Sequence, residues 1–274
     1  MNLRIDRLGA SDDKLIRSSQ REMLNMAAVR YWLSHDCFVC SVGGRSICLN
    51  SRRRRYFEFA ADISNALARC VVGWPHVDGS QDLRPHSQES SSLDELISDL
   101  LRQGILVVER RRGKQATPVV VPMPSTALLD EYESFEAKIN ISDLLFFLRA
   151  SLSAAWMVGM HRKERLFAEL LRRSRRRKTQ TMRGRTVIPN EADDAKRTVA
   201  VFRKLRPFLC KSEEQEYIER LVLLKFLEYR GYCVRWIFGV SVEPFGLHTW
   251  LQSESTVIDD SPRFVTCYVP IVAL

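Results

Sequence analysis

The sequence predicts an α+β protein on three observations. Two strand-like runs, 37–42 and 45–49, flank the pair Gly43-Gly44. A tight hairpin turn needs positive φ at its centre, which glycine supplies without a steric penalty. Helical spacing then recurs in blocks through the middle of the chain. Finally, a helix-length pattern at 212–229 leads through Gly231 into strand-like runs at 232–240 and 247–251, with 257–258 closing, the pattern of a helix docked on a short antiparallel sheet. The chain has 274 residues, 45% apolar and 27% charged, enough for a real core and for two domains. That composition excludes a disordered, collagen-like or coiled-coil protein.

The elements follow in order. Residues 1–30 form an N-terminal helical extension without the apolar core of a signal peptide. After the hairpin and the arginine run 52–55, a third extended piece covers 56–59. A helix over 60–72, with Ile63, Leu67 and Val71 on one face, stops at Gly73-Trp74-Pro75. Residues 76–92, rich in Ser, Asp, Gln, Gly and Pro, read as an exposed loop. Ser92 with Glu95 three residues on forms a capping box for a short helix that ends before Gly104. Strands at 105–109 and 118–121 complete a first domain, 31–122, bounded by Pro122-Met123-Pro124. The segment 123–205 is helical at 128–135, 141–157, 162–172 and 191–205, with a loop at 179–190 and a break at Pro207. The last domain is 206–274.

Charge is concentrated in one place. Lys and Arg number 42 against 33 Asp and Glu, a net +9. Between His161 and Val187 stand eleven basic residues and two acidic ones, so this block carries the whole excess. Block charge of this kind is usually a solvated face or linker, and no zinc finger, helix-turn-helix signature or aromatic interleaving accompanies it, so it does not point to nucleic acid. Seven cysteines, an odd and scattered set, read as reduced thiols in a cytoplasmic protein. The most apolar stretch, 141–160, is interrupted by Asp143 and Arg149, leaving an uncharged run short of the ~20 residues of a membrane span. Cys37-x-x-Cys40, with His35 and Cys48 nearby, mimics a metal spacing, but residues three apart on a strand face opposite ways. No metal and no cofactor is expected, and Gly43-Gly44 is a turn rather than a phosphate loop.

The residues that carry chemistry lie near the end. His248 opens one strand and Asp260 ends another about twelve residues on, a spacing that lets a carboxylate orient the imidazole as in the outer part of a Cys-His-Asp triad. Taken alone, a histidine beside a tryptophan is more often a hydrogen-bonded structural residue. The sequence over 217–262, with Leu227, Gly231, Ile237-Phe238-Gly239-Val240, Pro244-Phe245, His248-Thr249-Trp250 and Val257-Ile258-Asp259-Asp260-Ser261-Pro262, resembles the C-terminal domain of lasso-peptide B proteins, the microcin-processing McjB family.

That resemblance implies a C-terminal transglutaminase-like (papain-like) cysteine-peptidase domain that removes the leader from a ribosomally made precursor before a separate cyclase closes the ring. The hairpin, Tyr56-Phe57 and the helices up to Gly104 resemble the family's leader-binding element, which implies an N-terminal winged-helix-like peptide-binding domain, joined by a helical connection to the peptidase. An extended peptide would add to the edge strand Arg55, Tyr56, Phe57 and Glu58, against the helix bearing Leu93, Leu96 and Leu100. The implied partners are the precursor's leader peptide and the lasso cyclase subunit.

One position departs from the family. Counting back from Gly231 by the family's spacing places the nucleophile at Glu216, not at a cysteine. The nearest thiol, Cys210, lies six residues earlier, about 9 Å along a continuous helix, and would need the chain to fold back. The expectations are therefore a thiolate at Cys210 served by His248 and Asp260, or a non-catalytic leader-binding scaffold with Glu216 beside His248. A winged-helix nucleic-acid-binding regulator is the alternative of another class.

Overall fold

A computed structural model of the chain describes residues 30–53, 55–77, 89–128, 137–160, 170–171, 188, 193–209 and 215–274. The expected N-terminal extension, the loop 179–190 except Ile188, the basic block, the helix 162–172 except its residues 170–171, and Cys210 lie outside the described residues.

The N-terminal part holds β1 (Trp32–Ser34), β2 (Cys37–Val42), β3 (Arg45–Asn50), β4 (Arg55–Phe59), α1 (Ala61–Cys70), α2 (Glu89–Arg102), β5 (Leu106–Val107) and β6 (Gly113–Lys114). Strands β2, β3 and β4 form an antiparallel meander whose first turn pairs Val42 with Arg45. Gly43 and Gly44 sit at φ 55° and 73°, the left-handed pair that such a two-residue turn requires. Strand β1 is the centre of a second sheet, β5-β1-β6. Leu33, Cys37, Cys48, Phe59, Leu67 and Ile105 pack between these layers and the two helices.

Three local expectations change. Ile63 is exposed, and Ser64 takes the inward position of α1, where its hydroxyl meets Ser46 Oγ at 2.5 Å and accepts from Trp74 Nε1 at 3.1 Å. Leu67 and Val71 keep their expected inward places, so only the first turn of that face differs. Helix α2 begins at Glu89, so Ser92 lies inside its first turn rather than at its cap. Residues 118–121 form no strand; β6 at 113–114 pairs with β1 instead.

The C-terminal part contains β7 (Thr126–Ala127), α3 (Ile141–Met160), α4 (Asp193–Leu205), α5 (Gln215–Tyr229), β8 (Arg235–Val242), β9 (Phe245–Ser253), β10 (Thr256–Val257), α6 (Pro262–Val265) and β11 (Val269–Ala273). The sheet order is β11-β8-β9-β10-β7, antiparallel except for β7 alongside β10. Phe147, Phe202, Phe226, Leu221, Leu227, Trp236 and Leu251 bind α3, α4 and α5 to one face of this sheet. Ile237, Trp250, Val257 and Val265 form a smaller cluster on the other face.

The two parts are not separate globules. Cys40, Ile47 and Leu49 of the N-terminal meander pack directly on Val240, Ile271 and Val272 of the C-terminal sheet. Cys37 belongs to the first core and Cys40 to this shared one, so the two thiols do face opposite ways. Among described residues α3 alone is long and apolar enough to cross a membrane. It is not a convincing span, because Phe147, Ala150, Ala154 and Met157 pack in the main core and Asp143 in its first turn is fully buried.

The cysteines divide by environment. Burial pushes the Cys40 thiol up to about 12, while contact with Cys37 and then burial raise Cys48. Cys233 is half-buried, and Cys267 is exposed in the turn after α6. The reason is Pro262, which starts α6 and delays the strand to Val269. Iodoacetamide at neutral pH is expected to label Cys267 in the folded protein and to spare Cys37, Cys40 and Cys48 until denaturant is added. Peptide mass spectrometry reads this directly, and early labelling of Cys40 would show that the shared core opens.

Candidate active site

His248 lies in the body of β9, the fourth residue of the strand, opposite Gly239 of β8. Side chains alternate along a strand, so His248, Trp250 and Gln252 share one face while Thr249 and Leu251 share the other. On the first face the imidazole is enclosed by rings: Trp250 stacked at 6.2 Å, Phe264 edge-on at 4.9 Å and Tyr268 at 5.2 Å between centroids. Nε2 meets Asp260 Oδ2 at 2.5 Å, and the other Asp260 oxygen accepts the Ser261 N–H at 2.8 Å.

Burial works to raise the Asp260 carboxyl, but the bonds from His248 and from the Ser261 N–H, with the charges of His248 and Arg220, bring it below its ordinary 3.8. A lowered carboxyl stabilises the fold above the ordinary range, and that contribution is lost only as pH falls through the lowered value. At neutral pH Asp260 is therefore a carboxylate. It holds the imidazole proton on Nε2 and leaves Nδ1 as the basic nitrogen.

Two glycines make room for this arrangement. A Cβ on Gly239 would stand 2.7 Å from Trp250 and 2.8 Å from Tyr268, and one on Gly246 would stand 2.9 Å from Ser241 Oγ. Gly239→Ala is expected to cost about 1–3 kcal/mol by overpacking and to displace Tyr268 from His248. Thermal denaturation checks the first effect, and the chemical shift of the His248 ring protons checks the second.

The opposite face of β9 is organised by Arg220 of α5. Its guanidinium reaches Asp259 Oδ2 at 2.8 Å, Thr249 Oγ1 at 3.2 Å and Glu216 at 3.7 Å. Asp259 also accepts the Leu251 N–H at 2.7 Å, and burial raises its carboxyl despite these partners. The sequence reading passed over Asp259. Its signal was the Asp259-Asp260 doublet itself, since neighbouring side chains leaving a strand point to opposite sides.

Glu216 is consequently not beside His248. Its side chain is 86% exposed in the first turn of α5 and pairs with Arg220, whose partner Thr249 lies on the face of β9 turned away from the imidazole. A cavity of about 170 Å³ opens there between α4 and α5, lined by Arg203, Arg206, Glu216, Glu219, Arg220 and Asp259, and His248 does not contribute to it. Cys210 lies outside the described residues. Among the described residues no thiol or hydroxyl hydrogen-bonds to the second ring nitrogen of His248.

The expected peptide edge is also divided. Strand β4 pairs only with β3 among the described residues, leaving its outer edge open. Phe57 joins Leu93 and Leu96, all partly buried, at the margin of the first core, while Leu100 is fully inside it. Leu100 is thus a support for that surface and not a contact within it. Tyr56 projects to the other side, where its ring meets Phe245 at 6.0 Å, and the exposed Arg55 and Glu58 flank the pair, with Glu58 bound to Arg45.

Residues 156–273 match the family described as the transglutaminase-like superfamily. No curated protein and no solved structure matches the chain. Residues 156–273 thus carry a transglutaminase-like domain.

Proposed function

We propose that this chain matures a ribosomally made lasso-peptide precursor, binding its leader through residues 31–122 and cleaving it, or presenting it for cleavage, with the transglutaminase-like domain. The observation that carries this reading is the His248–Asp260 contact, packed among aromatic rings inside that domain. In the active form His248 Nδ1 takes the thiol proton, the thiolate adds to the scissile carbonyl, the imidazolium gives that proton to the leaving amine as the C–N bond breaks, and water then hydrolyses the acyl-enzyme and restores the thiol. Asp260 fixes the tautomer and stabilises the imidazolium. The thiol in this proposal is Cys210. A carboxylate is a poor nucleophile towards an amide, so Glu216 has no part in the chemistry.

The second form of the reading is a leader-binding scaffold without its own cleavage step, which hands the peptide to a partner such as the cyclase. The cysteine missing from α5 favours it, because the helix start carries Glu216 paired with Arg220. Both forms need the leader to reach the domain. The Tyr56–Phe245 contact supports such a route: Phe245 begins the strand that carries His248 three residues later, about 10 Å along it.

The test of leader capture uses a fluorescent synthetic leader of a lasso-peptide precursor. Wild-type protein is expected to bind it with little dependence on salt, since main-chain pairing at an edge strand and apolar contact are not screened. Leu93→Glu and Leu96→Glu are expected to weaken binding ten-fold or more while leaving the unfolding midpoint nearly unchanged. A steep fall of affinity with salt, or undiminished binding by both variants, would overturn the leader-binding assignment.

A further inference from the structure

Arg220 of α5 reaches the chain beside each member of the His248–Asp260 contact. Its Nη1 donates to Thr249 Oγ1 at 3.2 Å, and its Nε donates to Asp259 Oδ2 at 2.8 Å. Thr249 follows His248 in β9, and Asp259 precedes Asp260. One guanidinium thus holds the chain neighbours of both groups, from the face of β9 opposite the imidazole.

Asp259 in turn decides where the chain leaves the sheet. Beyond the last residue of β10, the Ile258 N–H donates to the Leu251 carbonyl at 2.9 Å, which is half of a further antiparallel rung. The Leu251 N–H does not complete that rung; it donates to Asp259 Oδ1 at 2.7 Å. A carboxylate therefore stands where a continuing strand would place the Ile258 carbonyl. Residues 258–260 bend away from that point, and alternation along the chain sends Asp260 to the imidazole side. Only 13% of the Asp259 side chain is exposed, and a carboxylate so placed keeps its charge by having a counter-charge. Burial raises this carboxyl, and the Leu251 N–H and then Arg220 work against the rise. Glu216, 86% exposed and 3.7 Å from Arg220, is a minor partner of the same guanidinium.

We infer from these contacts that Arg220, acting through Asp259 and Thr249, is a positioning residue that sets the distance and angle between the His248 imidazole and the Asp260 carboxylate. The inference rests on the reading of those two as a working pair. A hydrogen bond weakens steeply as its angle closes, so a small slip of 258–260 along β9 is enough to release Nε2. The apolar core that otherwise joins α5 to the sheet is non-directional and fixes no such angle.

The experiment is NMR of the full chain labelled with 15N-histidine, at neutral pH and well below each variant's own unfolding midpoint. His248→Ala assigns the ring among the five histidines. Wild type is expected to carry the His248 proton on Nε2, in slow exchange with solvent. Arg220→Met, similar in length and uncharged, is expected to mix the two tautomers and to speed that exchange about ten-fold. Leu223→Ala, a core substitution on the same helix, is expected to lower the midpoint and leave the imidazole as it is. A wild-type ring without an Nε2 proton overturns the inference, as does an Arg220→Met spectrum equal to wild type or one that Leu223→Ala reproduces. Should Arg220→Met not fold, Thr249→Val and Asp259→Asn take its place, and an unchanged imidazole in both overturns the inference in the same way. Precursor cleavage is read separately. A protein that gives the expected spectra and cleaves nothing keeps the inference and loses the cleaving form of the proposed function, whereas His248-dependent cleavage with an imidazole indifferent to position 220 does the reverse.

Discussion

In the cleaving form of the proposed function, His248→Ala is expected to lower hydrolysis of a lasso-peptide precursor by about 10³–10⁴-fold, with Asp260→Asn close behind. That is about 4–5.5 kcal/mol of lost transition-state stabilisation. The two effects have different origins. Alanine removes the group that shuttles the proton, whereas asparagine keeps the shape but releases the imidazole from the tautomer that Asp260 imposes through its 2.5 Å contact. Members of one catalytic unit are not additive, so the double variant is expected to be no worse than His248→Ala alone. Cys210→Ala is expected to match it too, and cleavage that survives this change would remove Cys210 from the mechanism. Position 216 lies on the other side of β9 from the imidazole, so Glu216→Cys is expected to gain no activity. A gain would show that the start of α5 approaches His248 during turnover. Mass-resolved chromatography of the precursor, with each purified variant at equal concentration, separates these outcomes.

Asp143→Ala is expected to destabilise the protein by about 3–5 kcal/mol, the largest single effect on stability outside the apolar core. This carboxylate is wholly buried near the start of α3, yet it is fully occupied: Arg197 of α4 donates to one oxygen at 2.7 Å, and Arg230, just past α5, donates to the other. It also accepts the Asn140 N–H at 3.0 Å, as a third-position acid does when it closes a helix start. Removing it leaves two guanidinium groups facing each other without compensation, and a free helix N-terminus besides. Urea unfolding followed by tryptophan fluorescence measures the loss. A change below 1 kcal/mol would mean that the three helices are held by their phenylalanines alone.

Much of this architecture is legible in the residues. Gly43-Gly44 marks its turn because glycine takes positive φ without penalty, and the residues from Tyr217 through Asp260 carry the resemblance to a transglutaminase-like domain that the family match over 156–273 supports. The His248–Asp260 proximity follows from strand spacing of the kind a hairpin imposes. What escaped has common physical causes. Strands β1, β6 and β7 are two or three residues long, too short for alternation to show, and exist because tertiary pairing supplies their partners. Ser64 took an inward place from Ile63 because a polar contact was available there. The placement of position 216 depends on which sheet face α5 covers, and a count of residues along the chain carries no information about faces. Asp143 looked like an interruption of an apolar run, since its two arginine partners lie 54 and 87 residues away in sequence.

The apolar cluster that joins Cys40, Ile47 and Leu49 to Val240, Ile271 and Val272 bears on how the molecule comes apart. A chain whose first meander and last strand share one interior cannot release either without wetting both. The meander β2–β4 and strand β11 belong to one cooperative folding unit, completed only when β11 arrives. Amides of β3 and of β8 should then exchange with solvent through the same opening event, and a cut after Pro122 would leave a raw apolar face on each fragment rather than two free-standing modules.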